Sequence, residues 1–330
     1  PLSEKVRGSG AVSGGGTDQL QQHLVVNYET TPTLKDENGL TAGGRADAWL
    51  GDHLRVGGTA TQETIDSNRN RKIEADVTLR HSDKTNLTFE VAQSDGRGIG
   101  QSFSPDGGLT FRNETPVGQR GHKALAWRVK GEADLAEISG GALKGSVDAF
   151  YQFREAGFSS LSSETEHDTV TYGGNLELNV TDDTLLRLNA EATEQSGGNR
   201  EYRVKGELES EIAENWFLAA GVTWTRSDQA DKAHSIGDRT DAGAKLTYKV
   251  DEDTNVYAFA QGTLKRSGNR ERNNRAGVGG EAMLTERLGV QGEISYGNTG
   301  VGGEAKLTYK KSDDENYYIG YRLDPDRSSY

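Results

Sequence analysis

Along most of the chain, apolar and polar residues take turns. In WFLAAGVTW, the stretch from Trp216 to Trp224, Trp216, Leu218, Ala220, Val222 and Trp224 share one side of an extended strand, and Phe217, Ala219, Gly221 and Thr223 share the other. A helix would scatter the two tryptophans and set Gly221 in its interior, at about 1 kcal/mol. The neighbouring segments repeat the period of two. Leu125, Trp127, Val129, Gly131, Ala133 and Leu135 alternate with Ala126, Arg128, Lys130, Glu132 and Asp134. Gly145, Val147, Ala149, Tyr151 and Phe153 alternate with Ser146, Asp148, Phe150, Gln152 and Arg154. About eighteen such runs can be read between Lys5 and Leu323, and none reads as a helix of ten residues. The prolines agree, because Pro32, Pro105, Pro116 and Pro325 all fall between runs, where no ladder hydrogen bond is lost.

The connections alternate too. Short ones begin at Gly51, Ser82, Thr181, Ile212, Asp251, Thr285 and Lys311, and longer ones cover roughly 31–40, 62–70, 95–122, 155–168, 194–200, 227–239 and 265–274. An up-and-down meander sends alternate connections to opposite rims, so one rim is tight and the other carries loops. That is the layout of an antiparallel transmembrane β-barrel. The spacing of the two tryptophans fits the same picture. Eight residues of strand rise about 27 Å, or about 20 Å along the axis of a barrel with tilted strands, close to the roughly 25 Å apolar band of an outer-membrane wall. Trp216 and Trp224 are therefore expected at the two lipid–water interfaces, with Tyr151, Tyr248, Tyr296 and Tyr309 in the same aromatic girdles.

Composition narrows the class. The 330 residues are 27% charged, include 43 glycines and no cysteine, and carry a net charge of −13. Disulfides and thiol metal sites are excluded, and the acidic balance argues against nucleic acid as a partner. No run of eighteen apolar residues occurs, so no transmembrane helix is expected. The charges fall on the face opposite the girdle. Arg128, Lys130, Arg154, Arg203, Lys205 and Lys245 are expected to line a lumen together with Glu132, Asp148, Glu191 and Glu207. Their signs balance, which predicts cross-strand pairs and weak ion selectivity.

Catalytic patterns are missing. The six histidines form no HExxH, no GxSxG elbow occurs, and the acidic turns lack the spacing of a calcium loop, so neither enzyme activity nor a cofactor or metal is expected. One cationic segment stands out. Lys265, Arg266, Arg270, Arg272 and Arg275 lie in and just after the loop KRSGNRERNN, on the expected outer rim, where arginine forks suit lipopolysaccharide phosphates.

Four strings carry a family resemblance: FEVAQSDGRGIGQSFSPDGGLTF (89–111), YQFREAGFSS (151–160), AQGTLKRSGNRERNNRAGVGGEAMLTERLGVQGEISYG (260–297) and YYIGYRLDPDR (317–327). They resemble the barrel-forming region of very large Gram-negative outer-membrane surface proteins, loosely labelled OmpA-like or TonB-dependent-receptor-like. The resemblance implies an outer-membrane location, membrane lipid as a partner, and extracellular modules carried on the same longer protein. The expectation is one all-β barrel domain over residues 1–330, porin-like, anchoring a larger surface protein, forming a wide pore, or both. The strand directions further predict a piece of a larger barrel, with at least one strand before Pro1 and one after Tyr330. Two other classes stay open: a soluble extracellular β-protein such as an adhesin module, and a barrel enzyme.

Overall fold

The computed structural model describes residues 40–65, 68–96, 101–103, 112–114, 122–160, 163–228, 236–298, 300–312 and 315–323. Sixteen strands form one antiparallel sheet in which every strand pairs with its neighbour in the meander. In order they are β1 (Leu40–Leu50), β2 (Leu54–Ile65), β3 (Asn68–Arg80), β4 (Asn86–Gly96), β7 (Lys123–Asp134), β8 (Lys144–Arg154), β11 (Thr169–Thr181), β12 (Thr184–Gln195), β13 (Arg200–Ala213), β14 (Trp216–Ser227), β15 (Gly237–Lys249), β16 (Thr254–Arg266), β17 (Arg275–Thr285), β18 (Leu288–Gly297), β19 (Gly300–Lys310) and β20 (Asn316–Leu323). Two small hairpins sit in loops. β5 (Gln101–Phe103) pairs with β6 (Arg112–Glu114), and β9 (Ser159–Ser160) pairs with β10 (Ser163–Glu164). The two runs expected before Leu40 lie outside the described residues. β1 and β20 are the ends of the sheet, exposed along their whole length, and no ladder joins them among the described residues.

What is buried inverts the order of a water-soluble protein. Side chains on one face are charged or polar and largely covered: Glu74, Asp76, Thr78, Glu207, Thr223, Arg239, Asp241, Gln261 and Arg275 are all buried. Side chains on the other face are apolar and exposed, among them Ile73, Val77, Phe89, Tyr172, Val204, Leu218, Val222, Val256, Ile294 and Ile319. On β14 the two classes alternate residue by residue, Val222 being 47% and Thr223 3% accessible. A soluble sandwich would expose the first set and bury the second. A wall with lipid on one side and a polar interior on the other does the reverse.

Two features of the connections depart from the sequence reading. Residues 62–70 are not a long loop, because β2 runs to Ile65 and β3 begins at Asn68. Likewise β12 reaches Gln195 and β13 begins at Arg200, leaving four residues between them. Strands of twelve to fourteen residues absorb polar rim positions that sequence alone reads as loop. The alternation from Leu125 also ends one residue early. Leu135 opens a single helical turn, α1 (Leu135–Ser139). Asp134 caps it, its carboxylate accepting from the backbone N–H of Ala136 at 2.9 Å and of Glu137 at 3.2 Å. Gly140 closes it in the left-handed region at φ 65°, where glycine carries no Cβ penalty.

Candidate functional site: the polar face and the loop folded onto it

Alternation from strand to strand places all ten predicted lumen residues on the polar face, and five of them meet an opposite charge or an amide. Lys130 pairs with Glu132. Lys205 lies 2.8 Å from Glu207, which also meets Arg187 at 3.3 Å, and Arg187 reaches Glu209 at 2.7 Å. The Asn175 amide donates to both carboxylate oxygens of Asp148 at 2.9 Å and its carbonyl accepts from Asn189 at 2.7 Å, a side-chain ladder across three strands. Arg128 lies over the Phe150 ring at 5.2 Å and Lys245 over Tyr257 at 5.5 Å. Arg154 and Glu191 are also engaged. Arg203 points from the same face and is exposed.

The sequence reading missed a second knot, on the first three strands. Arg45 grips Asp76 through two hydrogen bonds of 2.7 and 3.0 Å, and Arg55 lies 3.8 Å from the same carboxylate. Gly57 sits between them. A Cβ there would fall 2.7 Å from both Arg45 Nη2 and Asp76 Oδ1, so the ion pair needs the missing side chain. Trp49 also faces inward, with the Arg80 guanidinium 3.9 Å from its ring. The alternation Arg45–Asp47–Trp49 against Ala46–Ala48–Leu50 is the signal that would have found it.

The six residues expected in the girdles divide between the rims as three and three. Trp216, Tyr248 and Tyr309 lie at the short-turn end of their strands, and Trp224, Tyr151 and Tyr296 at the loop end. Trp216 and Tyr248 are 4.8 Å apart, and Trp127, Tyr151 and Tyr172 stack in sequence at 5.3 and 6.1 Å. The ring contacts run side to side between neighbouring strands, as a belt does.

The cationic set around KRSGNRERNN does not stay together. Lys265, Arg266 and Arg272 are exposed. Arg270 turns inward and donates to Thr225 Oγ1 at 2.8 Å. Arg275 is buried on the polar face, donating to Ser295 Oγ at 2.9 Å and to the Gly300 carbonyl at 3.3 Å. Position in sequence put five cations on the rim, whereas strand parity takes Arg275 to the interior and a threonine acceptor holds Arg270.

One loop folds against the polar face. The connection between β8 and β11 lays Phe158 onto Ala92, Ala124 and Ala126, forming the only cluster of buried apolar residues among the described residues. Phe158 is 1% accessible. Ser159 N–H donates to Ser94 Oγ at 3.1 Å, and the Asn70 amide donates to the Ser159 carbonyl at 3.3 Å. The loop thus leaves β8 and β11 and crosses β7 and β4 to touch β3, a reach of roughly 14 Å at the usual strand spacing. Alanine replaces charge at three adjacent inward positions, and that small apolar patch is the seat for one ring.

Among the described residues no three His, Asp or Glu side chains gather as a metal site, and no helix is long and apolar enough to cross a membrane, which says nothing about strands. No protein-family model matches the chain. No curated protein matches it in sequence either. Solved structures with a similar strand layout include the copper transporter OprC, with TM-score 0.46, 14% identity and 86% of this chain aligned to 60% of that one. The ferric enterobactin receptor PfeA from Pseudomonas aeruginosa aligns with TM-score 0.37, 11% identity, and 85% and 64% coverage. A Rhodopseudomonas blastica porin aligns with TM-score 0.33, 11% identity, and 86% and 100% coverage. The chain spans about 60% of the length of OprC.

Proposed function

We propose that this chain is the wall of an outer-membrane β-barrel that passes small hydrophilic solutes. The observation that carries the reading is the inverted burial: arginine, glutamate and aspartate are covered, while leucine, valine, tyrosine and tryptophan are exposed. Only a medium that is itself apolar makes that arrangement favourable, since each exposed CH₂ left in water forgoes about 0.8 kcal/mol. The polar face then borders water, and its paired charges favour a passage of weak ion selectivity. The loop carrying Phe158 narrows the mouth at the loop rim. Recording from planar bilayers tests this: steps of conductance with a cation-to-anion permeability ratio near one are expected, and a protein that inserts without conducting overturns the pore.

A second role, anchoring of larger surface modules, is favoured by the four strings that resemble large surface proteins. It is compatible with conduction, and it becomes the sole reading if the inserted protein is silent. The exposed cations Lys265, Arg266 and Arg272 on the loop rim support a contact with lipopolysaccharide phosphates.

A further inference from the structure

At the short-turn rim an open groove of about 520 Å³ lies between the turns at 51–53 and 81–85. Its lining includes Leu79, Leu87, His53 and His81. Leu79 and Leu87 are partners across the β3–β4 ladder and stand exposed on the apolar face, with Leu54 beside Leu79 on β2. The groove therefore has an apolar floor that belongs to the lipid side and a polar end made by two imidazoles at the rim.

Apart from the Asp52 carboxylate, the other charged groups around it are already committed. The Arg80 guanidinium donates to Asp83 at 2.8 Å and to the Asp52 carbonyl at 3.1 Å, and it covers Trp49. Lys84 lies 3.6 Å from Asp134, and Glu137 accepts from Ser82 at 2.6 Å and Thr85 at 2.5 Å. The imidazoles are different. His53 Nδ1 lies 2.8 Å from the Arg80 carbonyl oxygen, which can only accept, so Nδ1 carries the hydrogen. In the neutral ring that leaves Nε2 as the acceptor, on a residue that is exposed. The His81 ring is exposed and has an N–H to give.

We propose that this groove seats one glycerophospholipid with a primary-ammonium headgroup. The acyl chains lie along Leu79 and Leu87, the ammonium donates to His53 Nε2, and the phosphate accepts from His81. A headgroup without an amine offers His53 at most a neutral hydroxyl, a weaker donor than an ammonium, so the seat discriminates by headgroup and not by chain. The inference rests on the reading of the exposed apolar face as lipid-facing.

The test uses the whole chain in vesicles of equal phosphatidylethanolamine and phosphatidylglycerol. Insertion is scored first, by resistance to an alkaline wash. The protein is then extracted in mild detergent and its retained lipids are counted by native mass spectrometry. The wild type is expected to retain phosphatidylethanolamine over phosphatidylglycerol by about tenfold, equal to about 1.4 kcal/mol. His81→Ala, which leaves the His53–Arg80 bond in place, and His53→Ala with His81→Ala should bring the ratio toward one. His122→Ala with His167→Ala, at the other rim, should leave it unchanged. Failure to insert sinks the membrane reading itself. Insertion with no headgroup preference, or a preference that survives both groove variants, overturns the groove alone.

Discussion

The two faces of β14 are built on one backbone, from residues that alternate one by one, and yet they obey opposite rules. On the apolar face, Trp216, Leu218, Ala220 and Val222 make no polar contact and gain by meeting a medium like themselves. On the polar face, Thr223 is buried and its neighbours across the ladder are Lys205 and Asp241. The apolar face is permissive in shape and strict in polarity. The polar face is the reverse, because its charges are held by particular partners: Arg45 by Asp76, Arg187 by three glutamates, Arg239 by Asp241 at 2.8 Å. Removing one member of such a pair leaves the other covered and unmatched.

The largest effect expected comes from placing the same charge on both faces. Val222→Arg puts a guanidinium at mid-wall on the apolar side and should destabilise the inserted protein by about 2–4 kcal/mol. Ala219→Arg, on the polar side, lies across from Glu209 and Lys245. Glu209 supplies a counter-charge there, and the cost should stay below about 1 kcal/mol. Urea unfolding in phospholipid vesicles measures both. Equal losses would break the comparison and with it the membrane reading.

The loop seated by Phe158 sharpens the contrast, because it builds a small apolar core on the polar face. Phe158→Ala removes a fully buried ring, which in a closed core costs about 3–5 kcal/mol. A loop can lift away from its seat, so the loss should appear as undocking rather than global unfolding. Proteolysis within residues 155–168 should quicken, and single-channel conductance should rise, while the unfolding midpoint moves less than for Val222→Arg. If conductance is unchanged and cleavage is not, the loop docks without narrowing the passage.

A smaller effect separates the exposed cations of the loop rim from the captured ones. Lys265→Gln, Arg266→Gln and Arg272→Gln together should lower the lipopolysaccharide that co-purifies, each surface charge being worth at most about 1 kcal/mol. Arg275→Gln should leave lipopolysaccharide unchanged and cost stability through Ser295 and Gly300 instead. Identical behaviour of the two variants would remove the rim assignment.

Much of the fold was legible because period two is a strong signal when one face is wholly apolar. Val222 and Thr223, or Tyr172 and Thr171, announce their faces without any structure. The face on which each expected girdle and lumen residue lies followed from the same parity. What was not legible depends on contacts distant in sequence. Nothing near Phe158 announces Ala92, Ala124 and Ala126, and Arg270 is recognised as captured only once Thr225 is seen beside it. Trp49 shows that an aromatic ring also sits on the polar face when a cation covers it, here Arg80 at 3.9 Å. Helix α1 was hidden because Leu135 continues the alternation by accident, and Asp134, which reads as one more polar strand position, acts as a cap.

That cap gives the smallest test, at a place where neither face rule applies. Asp134→Ala removes the acceptor for the N–H groups of Ala136 and Glu137 and should cost about 1 kcal/mol, seen as faster hydrogen exchange in 135–143 with the sheet unaffected. The adjacent turn adds a dependence on pH. Hydroxyl donation from Ser82 and then Thr85 holds the Glu137 carboxyl below the usual carboxylate range. A lowered folded-state value means the contact contributes fully above the ordinary carboxylate range and is lost as pH falls through the depressed one. Protection of 135–143 should therefore hold at neutral pH and fade on acidification in the wild type. Glu137→Gln keeps a carbonyl acceptor but no charge, so its protection should be weaker at neutral pH and flat with pH. Fading that persists in Glu137→Gln would assign the pH dependence to Asp134 or to the sheet instead.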